Sequence, residues 1–321
     1  MTGGLRVIAA GPMSTLQDAG RRGYQRFGVA TAGALDADYF QAANLLAGNP
    51  AGTAAIEVTL LGDTCEVTAA SCRVALTGDF ALSIDGQPAT AWRSHRLTRG
   101  QRLKIGAGRA DVRGYLAVAG GFALAPMLGS LATHLRTRLG GVGGRALKAG
   151  DELPLALSEA PPGDERALDP THLPARALPL RVVLGPQQDH FSRAGIEAFL
   201  GSEYRISREA DRMGYRLQGP AIEHAEGYNI ISDGIPLGAV QVPGEGQPII
   251  LLADRQTTGG YPKIATVIGP DVAALAQMKP GRALRFAAVS VSEARQVLRA
   301  HRAAMAALPG KLKKAGAGSA V

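Results

Sequence analysis

Short apolar runs closed by turn residues recur along the whole sequence, and this pattern restricts the chain to short elements. Such runs occupy residues 55–61, 71–76, 114–119, 247–253 and 264–268. Most are bounded by Gly, Pro, Asp or Asn, as β-strands usually are. Since 42 Gly and 19 Pro are spread over 321 residues, turns are frequent and long helices few. The sequence therefore predicts a mainly β fold.

A few segments have helical spacing instead. Residues 37–47 and 192–200 repeat apolar side chains at intervals close to those of a helix. A third helix is predicted from Ser290, which forms a capping box with Glu293, to about Ala307. Residues 243–246, Pro-Gly-Glu-Gly between two apolar runs, predict a hairpin turn.

The two halves of the chain contain similar short segments. Arg-Val-Ile at 6–8 leads to Gly-Pro at 11–12, as Arg-Val-Val at 181–183 leads to Gly-Pro at 185–186. A second pair is 97–103 and 278–284, in which a turn precedes a strand. Matches this short also arise by chance, but together they predict two diverged copies of one β-rich unit.

The proline-rich and charged segment 159–179 lacks periodicity and is predicted to be a linker. The expected organisation is then an N-terminal β-rich lobe at 1–158 and a C-terminal lobe at 180–289 that carries the main polar site. A terminal helix and basic tail follow at 290–321.

The formal net charge of +8 does not indicate nucleic-acid binding. From residue 293 onward there are six Lys or Arg and one acid, so most of the excess lies near the end of the chain. A nucleic-acid surface would combine a basic stripe with aromatic side chains. We expect a solvated tail instead.

The cysteine content and the hydropathy pattern indicate a reducing, aqueous compartment. Cys65 and Cys72 are the two cysteines, without a C-x-x-C motif. The apolar stretch near the N-terminus is too short for a signal peptide, and the longest uncharged run is rich in Gly and Pro. The sequence predicts a cytoplasmic protein that does not enter a membrane.

Several familiar motifs are missing from the sequence. It has no phosphate-binding G-x-x-x-x-G-K-[ST] loop, no G-x-G-x-x-G after a strand and no cluster of Cys and His at ligand spacing. Met278-Lys279 resembles a biotin acceptor, but Gln277 and Pro280 do not suit its tight turn. We therefore expect no metal, no ATP motif and no biotin attachment site in this chain.

Polar groups are concentrated in the segment DRQTTGGYPKIA at 254–265, which follows an aliphatic run. Functional groups are often found on such loops between rigid strands. Asp254 can accept a proton or orient an amide N–H group. Arg255 and Lys263 can neutralise a carboxylate, an oxyanion or a phosphoryl group.

The rest of this segment offers hydrogen-bonding groups and an aromatic ring. Gln256 can both donate to and accept from an amide. Thr257, Gly259 and Gly260 can present backbone N–H groups at close range, because glycine permits close approach. Tyr261 adds a phenol group, which is a weak acid, and the flat surface of its ring. The alternative is a hairpin whose charges pair with one another.

Two more polar clusters are candidates for the same cleft. One is Asp211 with Arg212, and the other is Asp233 followed by Gln241. An Asp-Gly pair such as 233–234 is also a common turn. In the first half, Gln17 and Asp18 with the arginines that follow are compatible with a functional edge and with an interlobe contact.

Long motifs of the chain resemble a known family. They are GPMSTLQDAGRRGYQRFGVATAGALD, AANLLAGNPAGTAAIEVTLLG, YLAVAGG, DRMGYRLQGP, IISDGIPLGAVQVP and DRQTTGGYPKIATVI. From about residue 6 to residue 291, the chain resembles the allophanate-hydrolase-subunit-2, or biotin-dependent carboxyltransferase-like, family. The resemblance implies two tandem cyclophilin-like β-barrel lobes with a few short helices. It places function on the site residues named above, with Asp211, Arg212, Asp233 and Gln241 as secondary candidates.

The resemblance also implies a multi-subunit enzyme. Stand-alone members are most often the C subunit of an ATP-dependent 5-oxoprolinase, which opens 5-oxo-L-proline to L-glutamate together with the B subunit (the subunit-1 type protein) and the A subunit. The complex uses ATP, and Arg255 or Lys263 would stabilise charge on the amide oxygen while Asp254 orients the ring N–H or a water. The alternatives are the carboxyltransferase component of a biotin-dependent urea or amide carboxylase, and a non-catalytic antagonist of a kinase inhibitor.

Overall fold

The computed structural model describes residues 3–315, and over these residues the protein is mainly β, as predicted. The helices are α1 (Ala37–Ala47), α2 (Arg193–Gly201), α3 (Gly269–Ala276) and α4 (Val291–Ala307). The strands are β1 (Gly4–Ala9), β2 (Thr15–Gln17), β3 (Ala55–Thr59), β4 (Thr64–Val67), β5 (Ser71–Thr77), β6 (Phe80–Ile84), β7 (Gln87–Ala89), β8 (Arg93–Thr98), β9 (Arg102–Gly108), β10 (Arg113–Val118), β11 (Glu152–Pro154), β12 (Arg166–Ala167), β13 (Leu180–Leu184), β14 (Tyr204–Ile206), β15 (Gly214–Gln218), β16 (Asp233–Gly234), β17 (Ala239–Gln241), β18 (Ile249–Leu251), β19 (Thr258–Gly259), β20 (Lys263–Val267), β21 (Ala283–Leu284), β22 (Phe286–Ala288) and β23 (Lys313–Lys314). Short 3₁₀ turns lie at Gln25–Phe27, Pro170–His172, Gln188–His190 and Leu308–Lys311.

The chain divides into two compact units, and neither is continuous in sequence. Unit 2 combines Arg22–Leu35 with Pro174–Ala304, and unit 1 contains the remaining described residues. The segment Arg22–Leu35, expected in the first lobe, belongs to unit 2 because its backbone bonds there: Ala32 N donates to Ala253 O at 3.1 Å. The expected linker 159–179 is also partly ordered, since β12 pairs with both β8 and β23.

Unit 1 is built from two sheets around one apolar core. Over the described residues the strand orders are β11-β1-β4-β9-β6-β7 and β2-β3-β10-β5-β8-β12-β23. Side chains from both sheets, such as Leu5 and Val7 in β1 and Ile56 in β3, are completely buried in the same cluster. Helix α1 covers β10, with the rings of Phe40 and Tyr115 5.9 Å apart.

The basic tail is partly structured. Lys313 and Lys314 form β23 against β12, and Lys314 Nζ lies 2.8 Å from a carboxylate oxygen of Asp164. Both lysines are exposed, so the ion pair contributes little to stability. The last part of the predicted tail, 316–321, lies outside the described residues.

Unit 2 is organised around an eight-stranded sheet in the order β21-β14-β15-β18-β17-β20-β13-β22. Its two terminal strands are consecutive in the chain: β21 ends at Leu284 and β22 begins at Phe286. The segment therefore bonds to β14 on one side and to β13 on the other, which brings the sheet close to a closed barrel. Its interior contains apolar side chains such as Val240, Ile250 and Ile264.

The local predictions agree well with these elements. Helix α1 has the predicted bounds, and α4 follows the predicted capping box, in which Ser290 N donates to Glu293 Oε2 at 2.7 Å. The hairpin turn at 243–246 joins β17 and β18, with Gly246 N donating to Pro243 O at 2.9 Å. Helix α3 was not predicted. Its residues from Asp271 to Ala276 are all buried, so the sequence shows no alternation between a polar and an apolar face.

The second pair of similar segments, 97–103 and 278–284, has a shared local structure. Gly100 and Gly281 both adopt a left-handed conformation, with φ of 87° and 85°. Gly100 N donates to Val67 O at the end of β4, and Gly281 N donates to Ile206 O at the end of β14. Duplication of the whole halves stays a prediction.

Among residues 3–315, no helix is both long enough and apolar enough to cross a membrane. The two cysteines are free thiols, and both are buried. Cys65 lies in β4 and Cys72 in β5, where their side chains are part of the apolar core of unit 1.

Candidate functional site

The barrel of unit 2 brings the polar segments of the second half together. Strand β18 ends at Leu251 and β20 begins at Lys263, and the site loop (residues 254–263) connects this pair. A second segment, the flap (residues 228–235), lies beside the site loop. Short strands join them, because Asp233 pairs with Gly259 and Gly234 with Thr258. Ile230 N also donates to Gly260 O at 2.8 Å, and Ile235 N to Thr257 O at 3.0 Å.

Asp254 is paired with Arg212. The guanidinium Nε and Nη2 donate to the two carboxylate oxygens at 3.0 and 2.9 Å, which is a bidentate contact. Side-chain exposure is 7% for Arg212 and 6% for Asp254. Arg212 Nη2 also donates to Gly33 O at 2.7 Å, so the pair links the site loop to Arg22–Leu35. This arrangement holds the start of the loop in a fixed position.

Arg255 points into the protein and donates to backbone carbonyl groups. Its Nε donates to Ile235 O at 2.9 Å, and its Nη1 donates to Leu252 O at 3.0 Å. Burial lowers the pKa of this guanidinium from its ordinary value. The side chain thereby connects the base of the flap to the end of β18, a different use from the substrate contact predicted from the sequence.

Lys263 is the most deeply buried of the three cations of the site. It is 1% exposed, and its Nζ donates to Asp233 Oδ2 at 2.9 Å. The side chain of Asp233 lies on the flap and is 54% exposed. The hydrogen bond from Lys263 is the main reason that the pKa of Asp233 is lowered. The sequence predicted both residues for the site, and the structure places them in contact.

Gln187 completes this contact and was not predicted. Its Nε2 donates to Asp233 Oδ2 at 3.3 Å, and its Oε1 accepts from Lys263 N at 3.2 Å. It follows the Gly185-Pro186 turn after β13. That turn was one of the similar segments of the two halves, so the repeat could have pointed to the polar residue next to it.

Gln241 and Gly259 pack closely beneath the site loop. Gln241 is 2% exposed, and its Nε2 donates to Tyr261 O at 3.2 Å. A Cβ atom on Gly259 would lie 2.7 Å from Ile235 Cδ1 and 2.8 Å from Gln241 Nε2. Glycine is required here for close approach of the loop.

The remaining candidates have different surroundings. Gln256 is exposed, and Thr257 and Gly260 contribute backbone carbonyls that accept from the flap. The Asp211 carboxylate accepts from Met213 N and Gly214 N at 2.7 and 3.2 Å, which is typical of a turn. Thus Asp211 closes the turn before β15.

Tyr261 connects the site loop to an open cleft of unit 2 with a volume of about 1090 Å³. Tyr228, at the start of the flap, lines the same cleft, and the two rings are 48% and 40% exposed for Tyr228 and Tyr261. Arg208 and Arg216 lie on other parts of its wall. Glu209 and Glu245 also line it, and Arg216 Nε lies 3.4 Å from a carboxylate oxygen of Glu209, so the cleft offers flat ring surfaces and charges of both signs beside the site loop.

The polar cluster of the first half has a structural role within unit 1. Arg21 is completely buried, and it donates to Met127 O and Ala132 O, both at 2.9 Å. Asp18 accepts from Ser130 Oγ at 2.7 Å and from Leu131 N at 2.6 Å. These bonds hold the irregular segment around residues 127–132.

Residues 3–315 contain no group of three or more His, Cys, Asp or Glu placed to hold a metal ion. Each of the three cations of the site has a partner within the protein. Arg255 donates to carbonyl groups, Arg212 to Asp254 and Lys263 to Asp233.

Two of the curated relatives match this chain over most of its length and over most of their own. One is the C subunit of the 5-oxoprolinase of Escherichia coli (strain K12), 39% identical over 298 residues, which are 90% of this chain and 93% of that protein. The other is the C subunit of the 5-oxoprolinase of Haemophilus influenzae, 40% identical over 287 residues, with 89% and 91% covered.

A solved structure and a family match complete the comparison. The structure of the Kluyveromyces lactis urea amidolyase aligns with a TM-score of 0.87 at 28% identity, over 94% of this chain and 20% of that protein. This chain thus spans about a fifth of the urea amidolyase. Residues 27–288 match the family described as carboxyltransferase domain, subdomain A and B. The chain is therefore a member of this carboxyltransferase domain family.

Proposed function

We propose that this chain is the C subunit of an ATP-dependent 5-oxoprolinase complex that opens 5-oxo-L-proline to L-glutamate. The observation that carries the proposal is the similarity to the C subunits. The chain is 39% identical to the C subunit of the E. coli enzyme over 93% of that protein, against 28% identity to the urea amidolyase. The proposed partners are the A and B subunits of that complex, and the proposed compartment is the cytoplasm.

The reaction adds water across the lactam C–N bond, which yields the side-chain carboxylate and the free amine of glutamate. The substrate carries one carboxylate and one polar amide. We assign the carboxylate to the Lys263 cation and the amide to the partly exposed backbone of the site loop at Gly259 and Gly260. Tyr261 supplies a flat wall.

Asp254 and Arg255 have a positioning role in this proposal. Asp254 is neutralised by Arg212, and Arg255 is bound to two carbonyl groups, so both shape the site loop rather than contact the substrate. ATP is consumed by the complex, and we assign no nucleotide contact to this chain.

The test is reconstitution of the purified chain with the A and B subunits, ATP and 5-oxo-L-proline, with glutamate as the readout. We expect glutamate only when all components are present. Lys263→Met should lower kcat/KM on the order of a hundredfold, since it removes a buried charge from the site. Lys104→Met, at an exposed position in β9, removes the same charge far from the site and should leave the rate unchanged. No glutamate from the complete mixture would refute the proposal.

Carboxyl transfer is the second candidate, and the TM-score of 0.87 to the urea amidolyase favours it. A carboxyltransferase would transfer a carboxyl group from carboxybiotin on a carrier protein to urea or another amide nitrogen. The same preparation should therefore be incubated with a carboxylated biotin carrier and urea. Carboxylated product here, together with no glutamate in the first assay, would replace the first function with the second.

A further inference from the structure

Lys263 and Asp233 form an ion pair whose two members are buried to very different extents. The lysine is 1% exposed and the aspartate 54%. Other ion pairs of unit 2 that restrain the fold are less accessible: Arg212 and Asp254 are 7% and 6% exposed, and Asp271, which binds Arg181, is 1% exposed. A ligand from solvent can reach the Asp233 carboxylate but not these others.

The buried ammonium group needs a negative partner. An uncompensated charge in a protein interior is costly, so pairing of this group is favoured. Asp233 provides that partner in the absence of ligand, with Gln187 donating to the same oxygen. A neutral carbonyl group cannot replace it, because it carries no net charge. A second carboxylate can do so with no change in the charge of the site.

Asp233 can leave without a movement of the flap. Its backbone is held by pairing with Gly259, and the neighbouring bonds from Ile230 and Ile235 also fix the flap to the site loop. Rotation about χ1 toward solvent would break the bonds that the carboxylate accepts from Lys263 Nζ, from Gln187 Nε2 and from Gly234 N, the last at 2.7 Å, while this ladder stays intact. The volume that the carboxylate vacates then faces Lys263 Nζ and Gln187 Nε2.

We propose that Asp233 occupies a carboxylate-binding site and is displaced by the carboxylate of a small ligand, which then binds Lys263 and Gln187. This inference rests on the proposed function for the identity of that ligand, 5-oxo-L-proline. It assigns Lys263 to the carboxylate of the substrate and leaves the lactam carbonyl to the amide groups of the site loop. Asp233 acts as an internal competitor that keeps the buried cation paired in the free protein.

Calorimetric titration of the full chain at constant ionic strength tests the proposal. The probes are 5-oxo-L-proline, acetate, and two neutral lactams, 5-oxo-L-prolinamide and 2-pyrrolidinone. In Asp233→Asn the competitor is neutral, so the Kd of both carboxylates should fall about tenfold or more relative to wild type. The neutral lactams should show no such gain. Asp189→Asn, at an exposed aspartate with the same charge change, is the matched control and should bind as wild type.

The removal of Lys263 provides the reverse test. Lys263→Met with Asp233→Asn should no longer bind acetate. Where Asp233→Asn is unstable alone, thermal unfolding with and without acetate gives the same information, because a ligand that binds only the folded state raises Tm. Acetate should then raise the Tm of Asp233→Asn by more than that of wild type. Equal carboxylate binding in wild type and Asp233→Asn, or binding that survives the loss of Lys263, would overturn the proposal.

The two proposals can fail separately. If carboxylate binding depends on Lys263 and Asp233 as expected but the reconstituted complex forms no glutamate, the 5-oxoprolinase function is refuted and the carboxylate-binding site is supported. If glutamate forms but Asp233→Asn does not change the Kd of 5-oxo-L-proline, the proposed function is supported and the displacement of Asp233 is refuted.

Discussion

The charged residues of the site loop differ in what their side chains contact. Asp254 binds a buried arginine, Arg255 binds carbonyl groups and Lys263 binds an exposed aspartate. The sequence placed all three in one segment because polar residues are dense there, and the structure shows that segment as a single loop. The sequence did not show which charges would pair. Arg212 and Asp233 are distant in the chain from the site loop, and such partners depend on how the strands align.

The Arg212–Asp254 pair is predicted to be important for stability. Asp254→Asn leaves the Arg212 charge uncompensated in the interior, and we expect a loss of about 3–5 kcal/mol in the free energy of unfolding. Urea unfolding followed by circular dichroism measures it. Glu197→Gln breaks the exposed pair with Arg193, and should cost less than about 0.5 kcal/mol. Similar values for the two variants would show that the buried pair is dispensable.

The two thiols are predicted to be unreactive in the folded protein. Burial raises the pKa of Cys65 and of Cys72 from 9.0 to about 12. At a pH below 9 the thiolate fraction is then roughly a thousandfold smaller than in the unfolded chain, and the thiolate is the reactive form. Ellman's reagent should label both thiols quickly in guanidinium chloride and very slowly in buffer. Rapid labelling of the native protein would contradict the burial of these residues.

Short strands between long ones position the site, and the sequence did not predict these short strands. β16 and β19 have two residues each, too few to show an alternating pattern. The longer strands β3, β5, β10 and β20 follow the apolar runs closely. Thus apolar runs in the sequence predicted these four strands, whereas the contact between the flap and the site loop depends on tertiary pairing.

The β16–β19 pair provides a prediction at this scale. In Gly259→Ala the added methyl group would collide with Ile235 and Gln241, so we expect a loss of about 1–3 kcal/mol and weaker substrate binding. Gly234→Ala, one position along the pair, adds a methyl group with no atom within 4 Å and should change the stability by less than about 1 kcal/mol. Chemical denaturation of the two variants side by side makes the comparison. Tolerance of both substitutions would mean that the loop is not closely packed.

Over the whole molecule, the division into units was only partly visible in the sequence. The proline-rich stretch ends close to the boundary at Leu173, but the exchange of Arg22–Leu35 into unit 2 has no local signal. That exchange depends on hydrogen bonds such as the one from Arg212 to Gly33, which connect residues far apart in sequence. Composition and periodicity report on local structure, and they contain no information about such distant pairings.

Stability as a function of pH is predicted to have a plateau between about pH 6.5 and pH 9. Burial lowers the pKa of His95 from 6.5, so the unfolded chain binds the proton first and stability decreases as the pH falls below 6.5. The thiols have a raised pKa, so the unfolded chain loses their protons first and stability decreases as the pH rises above 9.0. Tyr204, with its pKa raised from 10.0 to about 12, adds to the second decrease.

Urea midpoints measured across this range, at constant ionic strength, test the plateau. His95→Gln should flatten the acidic decrease, and Cys65→Ala with Cys72→Ala should reduce the alkaline one. Other groups would control the pH dependence if stability were highest outside this range, or if these substitutions left the acidic and alkaline decreases in stability unchanged.

The succession of β21 and β22 has a consequence for how other proteins can approach unit 2. A sheet with a terminal strand exposes a row of unsatisfied amide groups, to which an extended peptide or a second copy can add by β-augmentation. In the described part of unit 2, both ends of the eight-stranded sheet are occupied by one continuous segment. Because these terminal strands are only two and three residues long, the sheet offers little free edge for such additions.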